Sequence, residues 1–93
     1  MPLTRQEIAA PGNTDAFSLR WPMMDGSEEV MLKVSTQSLR DLAGWDGRDR
    51  LTHPRELWDH YRDELEAFAS RRYDQRGRPD GELLILAAQV RGN

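Results

Sequence analysis

The chain has no cysteine, which rules out disulfide staples, thiolate metal sites and a cysteine nucleophile. It has no apolar run near the roughly 18 residues that a membrane helix needs. Its opening residues, Met1-Pro2-Leu3-Thr4-Arg5-Gln6-Glu7, do not follow the charged-then-apolar order of a secretory leader. A cytoplasmic location with no membrane partner is the expectation. Positive charge is in deficit: 13 Lys and Arg stand against 16 Asp and Glu, a net charge of −3. That balance counts against a general nucleic-acid binder, whose affinity rests on neutralising phosphates. Lysine itself is limited to Lys33, beside twelve arginines, a bias that a GC-rich genome explains as well as function does. Motifs that announce a reaction are missing too: there is no Gly-rich phosphate loop, no G-x-S-x-G, no H-E-x-x-H and no zinc pattern.

What is present is an ordinary globular composition, 38% hydrophobic and 31% charged over 93 residues, enough for one core. Thr4-Arg5-Gln6-Glu7 has the form of a capping box and predicts a short helix through Ala10, stopped by Pro11-Gly12, or else a mobile arm over residues 1–15. Residues 16–93 form a single α+β domain in this reading. Phe17, Leu19, Trp21 and Met23 alternate with polar residues, as do Val30, Leu32 and Val34. The Asp25-Gly26 pair between them predicts a β-hairpin. Pro22 lacks an amide donor and points to an edge or a bulge. Ser35 caps a helix at residues 36–43 that turns Leu39 and Leu42 inward, and Gly44 closes it. Residues 45–52 read as a flexible polar loop. Thr52 or His53 then caps the next helix, with Pro54 in its first turn.

That next helix is the dominant element. Leu57, Trp58, Tyr61, Leu65, Phe68 and Ala69 fall within about 120° on a wheel of 100° per residue, and Asp59, Asp63 and Glu66 fall outside. Acidic residues lead and Arg71, Arg72 and Arg76 trail, which complements the helix dipole. Gly77-Arg78-Pro79-Asp80-Gly81 ends the helix. Residues 82–90 are apolar at consecutive positions, a pattern shared by a strand covered on both faces and by a short buried helix; Ile85 and the short length favour the strand. The economical arrangement sets this strand beside the hairpin as a three-stranded sheet, with the long helix across one face. Its second apolar face calls for a cover, either the short helix or another subunit.

The long helix and its sequel, through Trp58, Arg62, Leu65, Glu66, Ala69, Arg72, Tyr73 and Asp80-Gly81-Glu82, resemble a bacterial family of small domains of unknown function (domain of unknown function fourteen eighty-eight). Upstream, Phe17 to Trp21, the Asp25-Gly26 turn, Val30 to Val34 and Leu39 fit the family's hairpin and helix. The match spans residues 16–85. Trp58 stands where the family has Phe, and Arg72 where Lys is commoner. The resemblance implies an α+β fold and a bacterial or phage origin. It brings no established catalytic residues.

Several side chains invite a functional reading. Arg72 falls near the centre of the apolar stripe; its stem can lie buried with the head in water, or it can pair with Glu82. With Arg71, Arg76 and Arg78 it also composes an anion-binding patch beside Tyr73, suited to phosphate or an acidic partner. Trp45 is the aromatic best placed for an interface. Met23, Met24 and Met31 gather around the hairpin and are expected beneath the helices. Arg62 has Glu66 four residues on and Asp59 three back, the makings of a salt-bridge ladder. His60 and Glu64 stand one turn apart, as a metal-ligand pair or an acid/base dyad would; a surface pair accounts for them equally. The reading that follows is a non-enzymatic interaction or regulatory module with a protein partner, or with a second copy of itself, and with no cofactor. Nucleic-acid or phosphate binding through Arg71, Arg72, Arg76 and Arg78, with Tyr73 to stack, is the alternative. A small hydrolase or metal enzyme around His60 is a distant third.

Overall fold

Gly26 and Ser27 turn the chain between two eight-residue strands, here β3 (Ser18–Asp25) and β4 (Glu28–Ser35), paired antiparallel from Ser18↔Ser35 to Asp25↔Glu28. Gly26 adopts a φ of 63° there, a conformation that side chains with a Cβ resist. The computed structural model describes residues 3–8, 12–15, 17–48 and 53–91. Preceding the hairpin are two short strands, β1 (Thr4–Arg5) and β2 (Gly12–Asp15). Following it are α1 (Thr36–Trp45), α2 (Pro54–Arg76), β5 (Leu83–Ile85) and α3 (Ala87–Arg91). The fold is α+β, a mixed sheet ordered β1-β3-β4-β5 with β2 also paired to β3.

The expected three-stranded core is there as β3-β4-β5, and β5 joins β4 in parallel at Leu32↔Leu83, Lys33↔Leu84 and Val34↔Ile85. Strand alternation sends Leu19, Trp21, Met23, Val30, Leu32, Val34, Leu83 and Ile85 to one face, where they meet Leu39 and Leu42 of α1 and Leu57, Trp58, Tyr61, Leu65 and Ala69 of α2. Trp21 and Trp58 meet edge to face, ring centroids 5.6 Å apart, the geometry that aromatic quadrupoles favour. No helix among the described residues is long and apolar enough to cross a membrane.

Four expectations are corrected. The capping box at Thr4 is not used: Thr4 and Arg5 are extended against Met24 and Met23, and residues 6–8 are irregular. An amphipathic helix this short has little to gain over strand pairing that also buries Leu3. The rest of that predicted helix, Ala9 and Ala10, lies outside the described residues, as do residues 49–52 of the polar loop, including Thr52. Phe17 begins the alternation but is 75% exposed in the turn before β3. Of Met23, Met24 and Met31, only Met23 is under the helices; Met24 and Met31 are half-buried on the opposite face. Finally, residues 82–90 are not one element. Leu83 and Ile85 point inward from a three-residue strand, Leu84 and Leu86 are exposed, and Ala87 begins α3. The continuous apolar run therefore comes from two elements read end to end, and Leu84 is left 46% exposed.

The helix boundaries follow the capping residues. The Ser35 side chain accepts from the Ser38 amide. His53 Nδ1 accepts from the Arg55 amide ahead of Pro54. Gly77, at φ 77°, closes α2 by donating to the Tyr73 carbonyl. Helix α1 runs through Gly44 to Trp45 and is capped at Asp46. Pro22 sits in β3 between the stretches paired with β1 and β2; no described residue pairs with it on that side.

Candidate interaction site

The polar chemistry of α2 divides between its two halves. In the first half, Glu66 is 4% exposed, and its two oxygens accept from three donors: Oε1 from Arg5 Nε at 2.5 Å, Oε2 from Trp21 Nε1 at 2.8 Å and from Arg62 Nε at 2.9 Å. Arg5 also pairs with Asp63. Arg62 donates to the Gln6 carbonyl at 2.7 Å, and its guanidinium lies 4.9 Å above the Trp58 ring. A buried carboxylate is tolerated only when paired and hydrogen-bonded, and this one is satisfied by β1, β3 and α2 at once. Its work is structural: it ties residues 3–8 across the sheet edge to the helix. The ladder from Arg62 to Glu66 is present as expected. The burial of Glu66 was missed, because its flank of the helix is covered by the N-terminal segment, which the sequence pattern leaves as an arm. The indole N–H of Trp58 is buried without a hydrogen-bond partner among the described residues.

In the second half, α2 and α3 form a groove of about 700 Å³ lined by Phe68, Arg71, Arg72, Gln75, Arg76, Ala88, Gln89 and Val90. Helical spacing explains the grouping: Phe68, Arg72 and Arg76 recur at four-residue intervals along one ridge, with Arg71 and Gln75 forming the next. Arg72 is half-buried, its stem beside Phe68 and its Nη1 donating to Gln89 Oε1 at 3.0 Å across the groove. The groove contains three guanidinium groups and no carboxylate. This separates them from Arg5, Arg20, Arg62, Arg78 and Arg91, each of which is in an ion pair. Among the described residues, Arg71, Arg72 and Arg76 have none, nor do Arg40, Arg48 and Arg55, which lie outside the groove.

The predicted patch is therefore brought together only in part. Arg71, Arg72 and Arg76 share the groove. Arg78 turns to the hairpin, where it pairs with Glu28 at 2.6 Å and donates to the Glu29 carbonyl. Tyr73 turns the same way, its hydroxyl donating to Asp25 at 2.5 Å. That bond to Asp25, together with partial burial, raises the Tyr73 hydroxyl above its ordinary pKa. Glu82, offered as a partner for Arg72, accepts instead from Arg20 at 2.9 Å.

Trp45 closes α1 and is 57% exposed. Beside it in the chain, Asp46 ends a network that the sequence reading did not find. Arg91 of α3 grips Asp46 with two donors at 2.7 and 2.9 Å and Glu64 with two at 2.5 and 2.9 Å. The Tyr61 hydroxyl donates to Asp46 at 2.7 Å, and the Arg91 guanidinium lies 5.9 Å from the Tyr61 ring centroid. Bonds from Arg91 first and Tyr61 second hold the Asp46 carboxyl well below its ordinary range, and those carboxylates hold Arg91 above its own. Glu64 is thus engaged by Arg91, while His60 stacks edge to face on Tyr61 at 4.7 Å. The suggested dyad does not assemble, and no cluster of three or more metal-ligating side chains occurs among the described residues. Contacts separated by 27 and 45 positions leave no local sequence signal.

Comparison with known proteins returned no match: no family model fits the chain, no curated protein is similar to it, and no solved structure matches it.

Proposed function

We propose that this protein is a small non-enzymatic interaction module, bacterial and cytoplasmic, that binds a protein partner through the groove between α2 and α3. The observation that carries the reading is the charge of that groove: three arginines and no acid, in a chain whose net charge is −3. Guanidinium groups left without carboxylates, next to the apolar side chains of Phe68, Ala88 and Val90, make a surface suited to an acidic partner that also has apolar residues. Nucleic-acid binding is the weaker reading. The Tyr73 ring that would stack on a base is absent from the groove lining, and its hydroxyl is held by Asp25. Arg78 is engaged with Glu28, and acidic residues dominate the rest of the chain.

The test is a pull-down with tagged wild type and an Arg71→Glu/Arg76→Glu variant as parallel baits, each with and without nuclease. Both replaced side chains are exposed. The reading expects a nuclease-resistant protein retained by the wild type and lost by the variant. Partners held equally by both baits would refute it, and partners that vanish with nuclease would transfer the groove to nucleic acid.

A further inference from the structure

We infer that the groove takes an acidic amphipathic helix, with carboxylates four residues apart and an apolar side chain on the same face. This rests on the reading of the groove as a protein-binding surface and adds the shape of the bound segment. Arg72 and Arg76 stand one turn apart on α2, about 6 Å along the axis at 1.5 Å per residue. A partner helix with Glu or Asp at i and i+4 repeats that rise. An apolar residue one turn beyond that pair on the same face falls toward Phe68, which precedes Arg72 by one turn on the same ridge.

Backbone chemistry separates a helix from an extended peptide. Both walls of the groove are helical; the interior amides and carbonyls of α2 are bonded within it, whereas α3, with five residues, is nearly all terminus. Neither wall offers a strand edge to an extended segment. Such a peptide would bury its main chain against guanidinium and apolar groups, with few partners for its amides. A helix satisfies its own backbone and brings only side chains to the contact. The Arg72–Gln89 hydrogen bond is the contact that an incoming carboxylate replaces: a charged acceptor forms roughly twice as strong a bond to guanidinium as a neutral amide does.

The test uses fluorescence anisotropy with synthetic peptides of equal composition. One places Glu at i and i+4 with Leu on the same face. Another permutes those positions so that no face combines them. A third replaces Leu with Ser in the first pattern. A single-stranded oligothymidine is the polyanion control. The patterned peptide is expected to bind about tenfold more tightly than the permuted or Ser-containing peptides, and to lose about tenfold with Arg71→Glu/Arg76→Glu. Equal binding of the patterned and permuted peptides would overturn the helical inference while leaving the groove as a site for acidic segments. Binding unaffected by the double variant would overturn both. An oligothymidine that binds more tightly than every peptide would overturn the protein reading in favour of nucleic acid. Circular dichroism of the variant confirms that any loss occurs in a folded protein.

Discussion

Glu66 shows what one residue can organise. Its carboxylate receives Arg5 from the N-terminal strand, Trp21 from the central strand and Arg62 from its own helix. Replacing it with Gln keeps the volume and one acceptor but leaves Arg62, which is largely buried, without its counter-charge. Removing one partner of a buried pair costs about 3 kcal/mol at the lower end of the usual range. Urea unfolding of Glu66→Gln is expected to show a loss of that size, and an unchanged midpoint would mean that the cluster contributes little. The neighbouring apolar positions were readable from the wheel: Leu57, Trp58, Tyr61, Leu65 and Ala69 are all buried as the stripe required. Glu66 was not, because it lies on the wheel about 60° beyond the stripe's edge, and Arg5 and Trp21, which meet it there, are 61 and 45 positions away in sequence. Arg72 was legible as a residue out of place on the stripe, though not its partner, because Gln89 belongs to an element the sequence did not resolve.

At the scale of elements, α3 shows how a five-residue helix is fixed. Ala87 enters the core, and Arg91 pins the other end to Asp46 and Glu64. Tyr61 completes the clamp, and burial first, then its bond to Asp46, pushes its hydroxyl up to about 12 from 10.0. The sign follows from that direction. The folded state favours the neutral phenol, so this contribution to stability is whole below pH 10, the unfolded value, and is lost as pH rises from 10 through 12. Tyr73 is raised as well and adds to the same alkaline loss, so the diagnostic quantity is a difference. Tyr61→Phe is expected to weaken the dependence of the urea midpoint on pH between 10 and 12 relative to wild type; parallel curves would contradict the Tyr61–Asp46 account. The hairpin, both main helices and their Ser35, His53 and Gly77 caps were legible because each carries its signal within a few residues. The capping box at Thr4 gave a false one, since strand pairing with Met23 and Met24 competes for the same residues. Residues 82–90 stayed ambiguous because a three-residue strand is too short to establish a period.

Over the whole molecule, charge is sorted. Among the described residues, five arginines are in ion pairs: Arg5 and Arg62 at the N-terminal edge, Arg20 and Arg78 around the sheet, Arg91 at α3. Of the six described arginines outside ion pairs, Arg40, Arg48 and Arg55 lie elsewhere, and Arg71, Arg72 and Arg76 share one groove with Phe68, Ala88 and Val90. Exposed apolar side chains also stand apart from them: Phe17 before β3, Trp45 at the end of α1, and Leu84 and Leu86 at β5. The sequence showed the arginines as a cluster but could not divide them, because the hairpin acids that remove Arg78 and Tyr73 are about 50 positions distant. The division gives the protein reading its strength over the nucleic-acid one. The most direct measurement is an amide ¹H–¹⁵N titration of the whole chain with the patterned acidic peptide. Chemical-shift changes concentrated in residues 68–76 and 87–91 are the predicted result. Changes centred on Trp45 or on the face bearing Met24, Met31 and Leu84, with the α2–α3 groove silent, would contradict the account.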